Sequence, residues 1–151
     1  MSKNSQIVRV LDGAIERLHQ TDYSPSVELA TSLAGAARHA LAQATRPEEI
    51  KGVRDKLSTI EHWFKKQRAT LIESNLLVAE RLRAERKVGA WLRKNVHPGG
   101  DRQSEKALLP EVTMLSDVGI SRRDSHKWQR MAAIDEADFE TWVQELSLIH
   151  I

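Results

Sequence analysis

Apolar residues recur at intervals of three and four along most of the chain, the spacing of one face of an α-helix. The first such segment covers residues 6–20. The second starts at Ser24, a residue type that caps helices, with Pro25 at the first helical position. No stretch of useful length alternates apolar and polar residues as a half-buried strand would. The sequence therefore predicts an all-α fold.

The third predicted helix carries the most regular apolar stripe. It begins at Thr45-Arg46-Pro47-Glu48, where threonine and glutamate three residues apart match the reciprocal capping box. Five apolar residues then follow at alternating intervals of three and four, as at the a and d positions of a coiled coil: Ile50, Val53, Leu57, Ile60 and Phe64. This stripe predicts a homodimer joined through these side chains, although a monomeric core could use the same residues.

A second capping box, at Thr70 and Glu73, predicts a turn near Arg68 and a fourth helix from Leu71 to about Asn95. The third and fourth helices would then form a long antiparallel hairpin. A single helix from Pro47 to Asn95 is the alternative. The polar centre of the fourth helix, RLRAERK, indicates that part of it projects into water.

Glycine, proline and polar residues in HPGGDRQSEKALLP predict a linker at 97–110, between a helical region at 1–96 and a C-terminal unit at 111–145. The C-terminal unit contains two short helical patterns, 112–118 and 121–134. A last pattern spans 137 to about 145. Its apolar residues face one way: Phe139, Trp142 and Val143.

The segment GISRRDSHKWQR (119–130) fits a helix-turn-helix. Gly119 suits the turn, Ser121 suits the cap of the second helix, and Met114, Leu115 and Val118 supply the apolar face of the first. Five basic side chains then share the outer face of the second helix: Arg122, Arg123, His126, Lys127 and Arg130. Ser125, Trp128 and Met131 point the other way. This division predicts DNA binding, and the alternative is a basic face that is only solvated.

Charge is distributed unevenly along the chain. Residues 46–96 carry thirteen Lys/Arg against seven Asp/Glu, whereas residues 135–151 carry five acidic residues and no Lys or Arg. A basic middle makes a polyanionic partner plausible. The absence of cysteine and of a long apolar run favours a cytoplasmic protein with no membrane segment.

Motifs for catalysis or cofactor binding are missing from the sequence. The six histidines are scattered, without the spacing of a metal site. The glycines of HPGGD match neither a phosphate-binding loop nor a dinucleotide fingerprint. We therefore expect no catalytic residues, no metal and no cofactor, and a protein that is not an enzyme.

Three segments resemble a family of small proteins from phages and integrated elements: ARHALAQATRPEEIKGVRDK (37–56), AERLRAERKVGAWL (79–92) and LSDVGISRRDSHKWQRMAAIDEADFETWVQE (115–145). Segments of this kind occur beside adenine methyltransferases or ParB-like modules, which implies work on DNA. The chain departs from the family pattern by an extra N-terminal helix, by Asp135 in place of a proline, and by His126-Lys127 in place of serines. The last change makes the outer face more cationic.

The apolar end, LSLIHI (146–151), resembles the translation of a sequencing adapter, so we expect a non-native, dispensable tail. Docking of Leu148, Ile149 and Ile151 on the core is the alternative. Taken together, the sequence predicts a protein that binds double-stranded DNA and acts in regulation or recruitment on phage or mobile-element DNA. The rival hypothesis is a protein-interaction module, in which the hairpin binds a protein partner and no nucleic acid is bound.

Overall fold

The computed structural model describes residues 3–20, 24–95 and 118–149, with side chains described at 9–19, 24–95 and 118–146. This part of the chain is all-helical, as predicted. Its helices are α1 (Lys3–Gln20), α2 (Val27–Gln43), α3 (Pro47–Lys66), α4 (Leu71–Asn95), α5 (Arg122–Ala133) and α6 (Glu136–Ile149). Met114, Leu115 and the predicted linker at 97–110 lie outside the described residues, so the first helix of the predicted helix-turn-helix does as well.

Helices α3 and α4 form the predicted hairpin. They are separated by a turn in which Arg68 adopts a left-handed conformation, with φ 57°. The capping box of α4 is present: the Thr70 amide donates to Glu73 Oε2 over 3.0 Å, and the Glu73 amide donates to Thr70 Oγ1 over 3.3 Å. The alternative of one continuous helix is therefore wrong.

The apolar stripe of α3 lies inside the monomer. Ile50, Val53, Leu57, Ile60 and Phe64 are each at most 1 % exposed. They join a single core with apolar residues of α1, α2, α4, α5 and α6. These side chains are therefore covered by their own chain and are not available to a second copy in this fold. The stripe therefore belongs to a monomeric core, which was the alternative to a homodimer interface.

Two helix starts differ from the sequence-based expectation. The cap of α2 is Ser26, whose hydroxyl accepts from the Leu29 amide over 3.0 Å, and not Ser24. At α3 the capping residue is Arg46, which makes no side-chain capping bond, so the box expected at Thr45 and Glu48 does not form. Pro47 at the first helical position starts α3 instead, because its fixed φ suits a helix and it has no N–H to satisfy.

Helix α4 is central, and the prediction that its polar middle projects into water is wrong. Glu80 and Glu85 are each only 1 % exposed. The helix packs against α2, α3, α5 and α6, so nearly every side of it meets another helix. A buried carboxylate requires cationic partners, and the neighbouring helices and α4 itself supply arginines.

The Glu80 carboxylate joins α2, α4 and α6. Its Oε1 accepts from Arg38 Nη2 over 2.6 Å and from Arg83 Nη1 over 2.8 Å. Arg83 also donates through Nη2 to Glu140 Oε2 over 2.9 Å. The hydrogen bond from Arg83 lowers the pKa of the Glu140 carboxyl. Glu80 therefore connects α4 to α2, and its partner Arg83 extends the network to α6.

The Glu85 carboxylate joins α4 to α3. Arg81 Nη1 donates to Glu85 Oε1 over 2.6 Å, and Arg81 Nε donates to Glu61 Oε2 over 2.7 Å. Burial raises the pKa of Glu61 in spite of the adjacent guanidinium. Arg54 Nε lies 3.7 Å from Glu85 Oε1 and completes the group. Together, the carboxylates of α4 and the arginines around them fix α4 against its neighbours.

Gly89 lets α5 approach α4 closely. A Cβ atom at this position would lie 1.9 Å from the Trp128 carbonyl oxygen, well inside any allowed contact. Trp128 itself is 2 % exposed. The absence of a side chain at 89 is therefore what allows the backbone of α5 to rest on α4.

The last helix, α6, packs through Phe139 and Val143, which are 1 % and 2 % exposed. Trp142 was expected on the same face but is 43 % exposed. The helix continues beyond residue 145: Leu146 packs against the core, and its carbonyl accepts from Asn75 Nδ2 over 3.3 Å. Leu146 is the one residue of the predicted tail whose side chain is described, so the dispensability of 146–151 stays a prediction.

We predict that Gly89→Ala destabilises the protein by about 1–3 kcal/mol, because the added methyl group forces α5 away from α4. Gly35→Ala is the matched control: Gly35 is also within a helix, but no heavy atom lies within 4 Å of its Cβ position. The control should stabilise the protein by about 0.5–1 kcal/mol. Urea denaturation of both variants measures the difference. Equal effects would contradict the close approach at Gly89.

We predict that Glu140 contributes stability at neutral pH that is lost in acid. Its pKa in the folded state is lowered by Arg83, so the contribution is complete above the unfolded value of about 4.3 and disappears as pH falls through the folded value. Glu140→Gln should be less stable than the natural chain at pH 7, and the difference should shrink as pH falls below the unfolded value of about 4.3. Urea midpoints across this range test the prediction. Glu145→Gln, an exposed change on the same helix, is the matched control for loss of a carboxylate at pH 7 and should change stability little there.

Candidate nucleic-acid interface

Helix α5 begins with the local features that its sequence predicts. Gly119 has a φ of 71°, a left-handed conformation that glycine adopts without a steric penalty. Ser121 caps the helix, its hydroxyl accepting from the Asp124 amide over 3.1 Å. Val118 and Ile120 on either side of the glycine are buried. The turn therefore anchors the start of α5 to the core and sets its direction.

The inner face of α5 is held by α3 and α4. Ser125, Trp128 and Met131 are buried, as predicted. The Arg54 guanidinium of α3 lies over the Trp128 ring, 5.3 Å from its centroid. At the far end of the helix, Arg86 Nη2 of α4 donates to the Ile134 carbonyl over 2.9 Å. The sequence pattern did not reveal these two arginines as supports of α5, because they are distant along the chain.

The outer face of α5 brings together the five predicted basic residues. Arg122, Arg123, His126, Lys127 and Arg130 are all exposed. An open groove runs along this face, lined by Arg123, His126, Lys127, Arg130, Met131 and Ile134. The last two give the groove an apolar end that the sequence analysis did not include. Ile134 is 43 % exposed and could have been recognised as an apolar residue just beyond the basic stripe.

The cations of α5 have no anionic partner among the described residues, unlike five of the cations on α3 and α4. On α3 and α4, Lys51, Arg54, Lys56, Arg81 and Arg83 each form an ion pair. Within the described chain, no ion pair involves Arg122, Arg123, Lys127 or Arg130. The positive charge of α5 is thus directed to solvent, where an external anion can meet it.

Among the described residues, no group of three or more His, Asp or Glu side chains is placed to hold a metal ion. None of the described helices is both long and apolar enough to cross a bilayer. No family model, curated protein or solved structure matches this chain.

We predict that Trp128 supports the basic face from behind. Trp128→Ala should cost about 3–5 kcal/mol of stability, the range typical for truncating a buried aromatic side chain. Trp142→Ala removes the same side chain from an exposed position and should cost less than about 1 kcal/mol. Chemical denaturation of the two variants tests this pair. Similar losses would show that burial of Trp128 does not anchor α5.

Proposed function

We propose that this protein binds double-stranded DNA through the outer face of α5. The observation that supports the proposal is the set of exposed cations on that face which lack anionic partners in the described chain, in contrast to the paired arginines of the interior. DNA phosphates are regularly spaced anions, and neutralising them releases bound counterions, which drives association. A helix with several unpaired cations on one face suits such a partner.

The dimensions of α5 agree with this role. Its twelve residues correspond to a length of about 18 Å, and the major groove of B-form DNA admits one α-helix. Arg122, Arg123, Lys127 and Arg130 would contact phosphates or base edges, since guanidinium groups bind guanine or phosphate through two parallel hydrogen bonds. His126 would add one hydrogen bond. Regulation or recruitment on phage or mobile-element DNA, and a homodimer, stay predictions.

A protein-interaction module is the second candidate, and one observation favours it. Leu71, Ile72 and Trp142 are 55 %, 45 % and 43 % exposed. Leu71 begins α4, eighteen residues before Gly89 and so about 27 Å along the helix from the α5 contact. A partner that covers these apolar side chains would leave the basic face untouched, so the two candidates concern different parts of the molecule.

We predict that Arg123→Ala/Lys127→Ala weakens binding to a random-sequence duplex and lowers the salt slope by up to about two, if both residues contact phosphate. The matched control is Lys65→Ala/Lys66→Ala. It makes the same change in net charge at the exposed end of α3, next to the hairpin turn and far from α5. Fluorescence anisotropy over a salt series measures both variants.

Stability should change little in either double variant, because exposed charges contribute little to folding. Equal loss of affinity in the two variants would attribute binding to net charge and not to α5. If the natural chain fails to bind duplex DNA at low salt, the proposal is wrong and the interaction module becomes the better hypothesis.

A further inference from the structure

We infer that the DNA-contacting surface extends from α5 onto the last turn of α4, where Arg93 contacts a phosphate and the adjacent Lys94 does not. This inference rests on the proposed function, because it concerns the same duplex. It adds a specific residue from a helix outside the predicted helix-turn-helix. It also gives the direction in which the duplex extends beyond α5.

The contacts between α4 and α5 show that the two helices run in opposite directions. Gly89 lies against the backbone of Trp128, while Arg86, three residues earlier in α4, bonds to Ile134, six residues later in the chain. Movement toward the C-terminus of α4 is therefore movement toward the N-terminus of α5. Arg93 consequently lies at the end of the molecule where α5 begins.

The helical geometry of α4 distinguishes Arg93 from Lys94. One α-helical residue corresponds to a rotation of about 100°, so Arg93 lies about 40° around the helix from Gly89, and Lys94 about 140°. Gly89 marks the side of α4 that touches α5. Arg93 therefore flanks α5, whereas Lys94 points away from it. Both side chains are exposed, and neither forms an ion pair within the described residues.

The opposite end of α5 is acidic. The chain passes directly from α5 into the acidic start of α6, where Asp135, Glu136 and Asp138 are exposed. Like charges within a Debye length, about 8–10 Å at physiological salt, repel a phosphate backbone. The α4 end carries the cations Arg93 and Lys94 beside one carboxylate, Asp124, whereas the α6 end carries three carboxylates, so the surface is more acidic at the α6 end. A duplex lying on α5 gains contacts by extending toward Arg93.

Single alanine variants of Arg93 and Lys94 test the inference, because they remove equal charge from neighbouring positions. The probe is the same random-sequence duplex, titrated from about 50 to about 300 mM salt. We expect Arg93→Ala to lower the salt slope by about 0.9, with up to about an eightfold loss of affinity at about 0.1 M salt. Lys94→Ala should retain the slope and bind within about twofold of the natural chain. Thermal midpoints of the two variants should agree, since both residues are exposed at the end of the same helix.

Arg123→Ala serves as the reference that separates this inference from the proposed function. If Arg123→Ala weakens binding but Arg93→Ala does not, the surface ends at α5 and the inference is overturned while the proposed function stands. Equal losses for Arg93→Ala and Lys94→Ala also overturn it, because they would reflect net charge alone. Absence of salt-dependent duplex binding by the natural chain overturns both proposals.

Discussion

The fold depends on two carboxylates that α4 carries into the interior. Glu80 and Glu85 are almost fully buried, and an isolated buried charge is very costly. Each has one arginine partner on α4 itself, Arg83 for Glu80 and Arg81 for Glu85, and a second from a neighbouring helix, Arg38 of α2 or Arg54 of α3. Sliding α2 or α3 by one turn, about 5.4 Å, would remove that second partner and leave the carboxylate with the arginine of α4 alone. The ion pairs between helices thus favour one register of the bundle.

The same network determines which charges remain for a partner. Arg54 and Arg86 both contact α5, one over the Trp128 ring and the other on the Ile134 carbonyl, so both support this helix. The cations of α5 itself have no such internal role. A formal charge count over residues 46–96 therefore overstates the charge that is available to a partner there, because several of its arginines neutralise carboxylates. The four Lys and Arg residues of α5 form no ion pair within the described residues.

Much of this architecture could be predicted from local sequence. The hairpin followed from a short-range capping signal at Thr70 and Glu73, and the inner and outer faces of α5 followed from helical periodicity. The sequence could not show that polar residues in the middle of α4 are buried. The stretch around Glu80 and Glu85 has the composition of a solvated helix, but its carboxylates are buried with arginine partners both from α4 itself and from the distant positions 38 and 54. Likewise, the apolar stripe of α3 has the spacing of a coiled coil, but in the folded chain it packs within the core of the monomer.

Gly89 shows how the central helix and the basic face are linked. By allowing the α5 backbone to rest directly on α4, it brings the Trp128 ring within reach of Arg54. With its inner face fixed by this contact, α5 presents its outer side chains from a rigid support. Because α5 is already packed in the free protein, its backbone does not have to be ordered when an anion binds. Ordering at an interface is one of the free-energy costs that weaken association. The packing of α4 against its neighbours therefore buries the carboxylates of α4 and also holds α5 with its cations exposed.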